Sequence, residues 1–291
     1  VLLLAAALSA AAGPAQGSGV PWSALTLQAT RLGSTATTEV MLDLRPAASE
    51  TPQFIESRRG QPLQASGAAV QKLSVATTLD IFGGRSVRFE NQLWLDPLTR
   101  TPLYLIRTRF GLKDYHQRFR FTREGVFRQQ REPASARETA EPPESWSKLG
   151  EHFYPYPPER PAGSPVIETS MLITLVGAFA AEPHDTIAAL GVFHKRQVHR
   201  VSVQALPAQR VRFDYLEKRA GQETRRAGTV WASGVAIASR PIGSYRGDVE
   251  DFIRDGSQLF LSPGDFLPLV VSGELPLIGR VEMELKEIHL K

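Results

Sequence analysis

Six histidines are the first residues to test for chemistry: His116, His152, His184, His194, His199 and His289. A metal centre needs several His, Asp, Glu or Cys side chains converging on one point. His184 and Asp185 are adjacent, so their side chains diverge if the segment is extended. His194 and His199 are five apart, which puts them on opposite faces of one strand. No H-E-x-x-H spacing occurs, and no metal site is expected. A serine nucleophile would favour G-x-S-x-G after a strand, and none is present. Ser233 in "WASGVA" lacks the preceding glycine, and the serines of "GSPVIETS" suit turns or caps. The carboxylates of "GDVEDF", Asp248, Glu250 and Asp251, invite comparison with a glycosidase pair. Beside Arg246 and Arg254 they are more simply surface ion pairs. Gly83-Gly84 lacks a Walker lysine and a following helix, so it reads as a hairpin turn. These spacings point away from an enzyme and away from any cofactor.

Two stretches could instead hold a ligand. "EHFYPYPPERP", residues 151–161, interleaves Phe153, Tyr154 and Tyr156 with prolines, the composition of a stiff loop offering rings to a sugar, a lipid or a partner. The same rings could close the open end of a barrel. From Arg85 to Arg131 cations outnumber acids and include Arg107, Arg109, Arg118 and Arg120. Such a band could meet anionic head groups, or could be a solvated strand face whose arginine stems pack while their heads stay wet.

The elements that must position these residues are strands. In "RSVRFENQLWLDP" Val87, Phe89, Asn91, Leu93 and Leu95 share one face, while Arg88, Glu90, Gln92 and Trp94 share the other. "PLYLIRTRFG", "YHQRFRFT" and "VFRQQRE" continue this as a meander. "ALTLQATRL" and "TEVMLDLRP" form a hairpin around Gly33-Ser34, and "VQKLSVATTLDIFGG" follows. Downstream, alternation returns in "RQVHRVSVQALP", "QRVRFDYLEKR", "RAGTVWASGVAIA", "DVEDFIRDG", "SQLFLSP", "FLPLVVSGE" and "GRVEMELKEIHL". Two regions interrupt it. Residues 132–165 are rich in Pro, Glu, Ser and Ala and read as a long loop. Residues 166–181, "VIETSMLITLVGAFAA", are apolar nearly all round and read as a buried helix that could plug a curved sheet. A second short helical turn is expected over Asp185–Val192.

The chain has 291 residues, 42% hydrophobic and 22% charged, with a net charge of +4 and a pI near 9.5. These are values of a globular protein, and neither disorder nor a coiled coil fits. Cysteine is absent, which excludes a small disulfide-stapled scaffold, a thiolate zinc site and a cysteine nucleophile. No recognition helix, zinc module or aromatic-basic motif suggests nucleic acid. Residues 1–15 read as a signal peptide truncated at its start: an apolar run fades into Ala10-Ala11-Ala12 and Gly13-Pro14-Ala15. The run is shorter than the ~20 residues a bilayer span needs. A periplasmic location is therefore expected, with residues 20–291 as a single antiparallel β domain.

The segment "LFLSPGDFLPLVVSGELPLIGRVEMEL", residues 259–285, carries a wider likeness. Its Leu261-Ser262-Pro263, Leu267-Pro268, Gly273, Pro276, Gly279 and Glu284-Leu285, together with "AALGVFHKRQVHRVSV" at 188–203, resemble a bacterial family of exported proteins known only as a domain of unknown function. The resemblance implies a β-barrel-like exported protein and transfers no catalytic residue.

The fold expected is mainly β, a large curved antiparallel sheet or partly open β-barrel with one or two short helices. The function expected is non-enzymatic binding of a lipid or glycolipid of the envelope, with Phe153, Tyr154, Tyr156, Arg107, Arg109, Arg118 and Arg120 as its ligand contacts. Peripheral membrane contact is compatible with that reading. The alternative is a structural or assembly factor of the envelope that acts through protein contacts.

Overall fold

The computed structural model describes residues 20–159, 166–175, 186–194, 197–242, 256–275 and 277–291. The proposed leader, the "GDVEDF" carboxylates, His184, Asp185 and Pro276 lie outside them. The strands are β1 (Trp22–Arg31), β2 (Ser34–Pro46), β3 (Ala69–Ile81), β4 (Arg85–Leu95), β5 (Pro102–Phe110), β6 (Tyr115–Phe121), β7 (Gly125–Glu132), β8 (Lys148–Pro155), β9 (Val166–Glu168), β10 (Thr186–His194), β11 (Gln197–Arg219), β12 (Gln222–Pro241), β13 (Ser257–Leu261), β14 (Pro268–Leu275) and β15 (Gly279–Leu290). They form one 15-stranded sheet in the order β8 down to β1, then β15 down to β9. Nearly every neighbour is antiparallel; β9–β10 and β11–β15 are parallel.

Two long-range pairings shape the sheet. β1 joins β15, so the beginning and end of the described chain lie side by side, with Leu27 opposite Leu285 and Leu25 opposite Ile288. The tip of β11 then pairs with β15, Leu216 opposite Glu287 through Arg219 opposite Leu290. That second contact closes a ring of β11, β12, β13, β14 and β15. Closure removes strand edges that would otherwise expose unpaired backbone groups.

The remaining strands, β1 to β8, form a wing whose alternation sorts side chains cleanly. Val87, Leu93 and Leu95 of β4, Leu105 of β5, Phe119 and Phe121 of β6 and Val126 of β7 are buried in the main core. This inner face meets β10: the Phe193 ring lies 6.0 Å from both Phe119 and Phe121 and 5.9 Å from Tyr154. Phe193 thus seats the β9–β10 end of the sheet against the wing.

The opposite, outer face of β3–β6 is also covered. Residues 47–66, between β2 and β3, lay Phe54 and Ile55 over Val70, Trp94 and Tyr104. Phe54 stacks on Tyr104 at 4.6 Å and meets Trp94 edge-on at 5.7 Å. The indole Nε1 of Trp94 donates to Glu50 Oε2 at 2.6 Å, satisfying a buried donor. Nearer the β5–β6 turn, Trp146 covers the same face and packs edge-on against Phe110 at 6.3 Å. Cover on both faces explains why "PLYLI" is apolar throughout rather than alternating.

Three expectations need correction. The loop expected over 132–165 contains β8, which pairs along its whole length with β7, Tyr154 opposite Val126 and Glu151 opposite Gln129. Its glycine and proline content hid an edge strand, where proline is tolerated. The helix expected from 166 begins later: Val166–Glu168 is β9, paired in parallel with Gly191–Phe193. A 3-10 turn follows at Thr169–Met171, started by the Glu168 carboxylate accepting from the Ser170 amide at 2.7 Å. Residues 172–175 are helical, and 176–181 lie outside the description. The helical turn expected over Asp185–Val192 is largely β10 instead. A short apolar run cannot tell helix from buried strand by period alone.

Burial pushes the Tyr104 hydroxyl up to about 12, although the Arg118 and Arg120 guanidiniums act against the shift. The folded state therefore holds this proton more tightly than the unfolded chain. The associated stability is present below pH 10 and is lost as pH rises toward the folded value. In urea titrations the wild type should lose about 2–3 kcal/mol more than Tyr104→Phe over that window; equal slopes would mean that Tyr104 is solvated.

Candidate functional site

The inner face of the wing changes character along its strands. Cross-strand register sets the rows. Leu93, Leu105, Phe119 and Arg128 form one row, and Asn91, Arg107, Gln117 and Gln130 the next. Phe89, Arg109 and Tyr115 form the row nearest the hairpin turns. The apolar row is under Phe193. Apart from the largely buried Arg107 side chain, the polar rows are half-buried, so a wall of amides and guanidiniums rises from an apolar floor.

Arg107 anchors that wall. Its Nη2 donates to Glu168 Oε1 at 3.1 Å, with the two side chains 11% and 1% exposed. Its Nε donates to Asn91 Oδ1 at 3.2 Å, and its guanidinium lies 5.8 Å from the Phe119 ring. This is a buried pair linking β5 to β9. Losing either partner would strand a charge in a dry site. Arg109, by contrast, stacks on Tyr115 at 4.4 Å and donates Nε to the Lys113 carbonyl at 2.8 Å. Gln117 Nε2 donates to Gln130 Oε1 at 2.7 Å, extending a ladder of polar groups toward β7.

The sequence-derived ligand contacts divide between two faces. Arg107, Arg109 and Tyr154 point inward, and Tyr156 packs against the main core. Tyr154 is buried, with His152 at 4.4 Å and the Arg128 guanidinium 5.5 Å over its ring. Phe153, Arg118 and Arg120 stand on the outer face, set there by alternation. Arg118 donates to Gln129. Arg120 is buried; it donates to the Leu103 carbonyl at 2.7 Å and lies 5.2 Å from the Phe54 ring. No single basic face exists, because strand period sends neighbouring arginines to opposite sides.

His194 and His199 also depart from expectation. They sit on adjacent antiparallel strands, with His194 opposite Gln197 and Val192 opposite His199. The chain reverses between them, which returns both rings to one face, 5.5 Å apart and edge-to-face. Thr169 Oγ1 lies 3.2 Å from His194 Nδ1. Gln197 Nε2 and Ser239 Oγ lie 3.0 and 3.1 Å from the two ring nitrogens of His199. The His199 ring is thus held from both of its nitrogens, by Gln197 and by Ser239. Among the described residues no group of three or more His, Asp or Glu is placed to hold a metal ion.

An open trough of about 490 Å³ lies on the outside of β1 and β15. Arg31, Arg280, Glu282, Glu284 and Lys286 line it, a charged surface unsuited to an acyl chain.

Glu168, Gln117, Gln130 and Tyr115 were not legible as a group. The sequence signal was present in part: Gln117, Phe119 and Phe121 alternate with Arg118 and Arg120, so one face of that strand had to mix amide with aromatic. Glu168 carried no such signal, because its partner lies 61 positions away.

The two kinds of arginine should separate by experiment. Arg120→Gln is expected to cost about 2 kcal/mol in urea denaturation, through a lost buried hydrogen bond and lost packing under Phe54. Arg109→Gln should stay within about 0.5 kcal/mol of wild type. Equal losses would contradict the division into covered and accessible groups.

Among the described residues no helix is long and apolar enough to cross a membrane. No protein-family model matches the chain, and no curated protein does. One similar solved structure is a β-barrel-like protein of a domain of unknown function, DUF1849, from Brucella abortus, at 9% identity over 95% of this chain and 100% of that chain, with a TM-score of 0.49.

Proposed function

We propose that the protein is a non-catalytic periplasmic binding protein that holds the polar head of an amphipathic envelope molecule, a lipid or glycolipid, on the inner wall of β4–β7. One observation carries the reading: the half-buried row of Asn91, Arg107, Gln117 and Gln130 with Arg109 and Tyr115 beside it, directly above the apolar floor of Leu93, Leu105 and Phe119. Guanidinium and amide donors in a partly dry setting match phosphate or sugar oxygens, and the Tyr115 ring suits a sugar face. The floor itself is occupied by Phe193, so the bound molecule enters head first and keeps its acyl part outside.

The assembly-factor reading draws support from a different place. β8 ends the sheet, and among the described residues its outer edge pairs with no strand. Such an edge can accept a partner strand.

Native mass spectrometry with organic extraction of the purified protein tests the first reading. The wild type is expected to carry an amphipathic species, and Gln117→Leu with Gln130→Leu to carry roughly tenfold less. An empty wild type that also shows no thermal shift with envelope lipid extract, while capturing an envelope protein, would move the assignment to the edge of β8.

A further inference from the structure

Four hairpin turns of the sheet point the same way. Register places the β14–β15 turn beside the β1–β2 turn, the β3–β4 turn next, and the β5–β6 turn after it. Successive hairpins lie about 10 Å apart, twice the strand spacing. Each turn carries one large exposed apolar side chain: Leu277 at 56%, Leu32 at 87%, Phe82 at 80% and Leu112 at 46% exposure. Single exposed leucines are ordinary, but a row of them on consecutive turn tips is not.

Local geometry sharpens the point. β1 and β2 are joined by two residues, Leu32 and Gly33, both at positive φ (50° and 75°). A turn of this kind favours Asn or Gly at its first position. Leu277 is likewise left-handed, at φ 72°. A bulky side chain in that region is disfavoured sterically, and full exposure is disfavoured by solvation. Leu32, 87% exposed, and Leu277, 56% exposed, bear both costs together, which singles them out among the turn residues. The tips are also contiguous: the space beside Gly33 is filled by the Phe82 ring, 3.1 Å from where a Cβ would stand.

Charge identifies the partner. Every tip has an exposed cation within three residues of its apolar side chain: Arg31 with Leu32, Arg85 with Phe82, Lys113 with Leu112 and Arg280 with Leu277. Acids are also near. Asp114 is engaged by the Gly111 amide at 2.8 Å, Glu274 stands opposite Arg280 in register, and Asp80 is exposed beside the β3–β4 turn. Aliphatic and aromatic groups at the tip with cations just behind match the layering of a bilayer surface, acyl chains beneath anionic head groups. We propose that this rim, Leu277, Leu32, Phe82 and Leu112 with their four cations, docks the protein onto an anionic membrane surface. The proposal goes beyond headgroup binding on the inner wall and stands without it.

Vesicle co-sedimentation tests the rim, using 100-nm vesicles of phosphatidylcholine alone and of phosphatidylcholine with about one-third phosphatidylglycerol. The purified protein is expected to partition onto the anionic vesicles, and less so at high salt. Leu32→Asn with Phe82→Ser should lower that partition roughly tenfold or more. Asn suits the left-handed position, so this variant keeps its melting temperature and the loss is not unfolding. Arg31→Gln with Arg85→Gln should remove the preference for anionic vesicles. A wild type that ignores both vesicle types, or a tip variant that binds as well as wild type, overturns the proposal. Loss of self-association in the tip variant without vesicle binding would also overturn it, by assigning the rim to a second copy of the chain. Gln117→Leu with Gln130→Leu should bind vesicles normally, so failure of the wall and failure of the rim are read separately.

Discussion

One contact holds this structure to its shape: the seating of β9 and β10 against the inner face of β5 and β6. A sheet of many strands with an apolar inner face has to bury that face on something. Here it buries the face on its own far end. Phe193 enters among Phe119, Phe121 and Tyr154, and the Arg107–Glu168 pair beside it fixes where the two ends meet. The aromatic cluster supplies most of the favourable energy, since a buried ion pair gains little over apolar residues of the same volume. What the pair adds is register. A slip of β9 by one residue would turn Glu168 away and leave Arg107 buried without its countercharge.

Edges and outer faces follow from the same constraint. The ring of β11 to β15 closes one part of the sheet, and the outer face of β3–β7 is covered by residues 47–66 and by Trp146. Apolar surface is thereby removed from both faces of the central wing. The exposed leucines and phenylalanine of the turn rim are conspicuous against that background, as is the half-buried polar wall next to them. Both lie at the same end of the wing, where the inner face stops being covered.

Much of the fold was legible from period alone. The face of β4 that carries Val87, Phe89, Asn91, Leu93 and Leu95 is the inner face, as alternation requires. The Pro263-Gly264 and Gly83-Gly84 turns fall between β13 and β14 and between β3 and β4. Residues 148–155 were not legible because proline and glycine mark loops and edge strands alike. Residues 166–168 and 186–194 were not legible because a short apolar run fits a helix and a buried strand equally. The candidate site was half legible. Arg107 and Arg109 stand out in the sequence, but the facts that separate them from Arg118 and Arg120 are contacts made across 61 residues to Glu168 and from a covering loop to Arg120. Periodicity assigns a residue to a face; it does not say which face will be covered, or by what. The histidine pair shows the same limit. Five residues of spacing imply opposite faces only if the chain runs straight, and here it reverses.

The most direct test of the seating contact is a double-mutant cycle on Arg107→Met and Glu168→Leu, read by urea denaturation. Each single change leaves an uncompensated charge and is expected to cost about 3–5 kcal/mol. The double change removes both charges together, so it should cost at least ~2 kcal/mol less than the sum. Additivity within about 0.5 kcal/mol would contradict the account, because it would mean that β9 does not lie against β5 in solution.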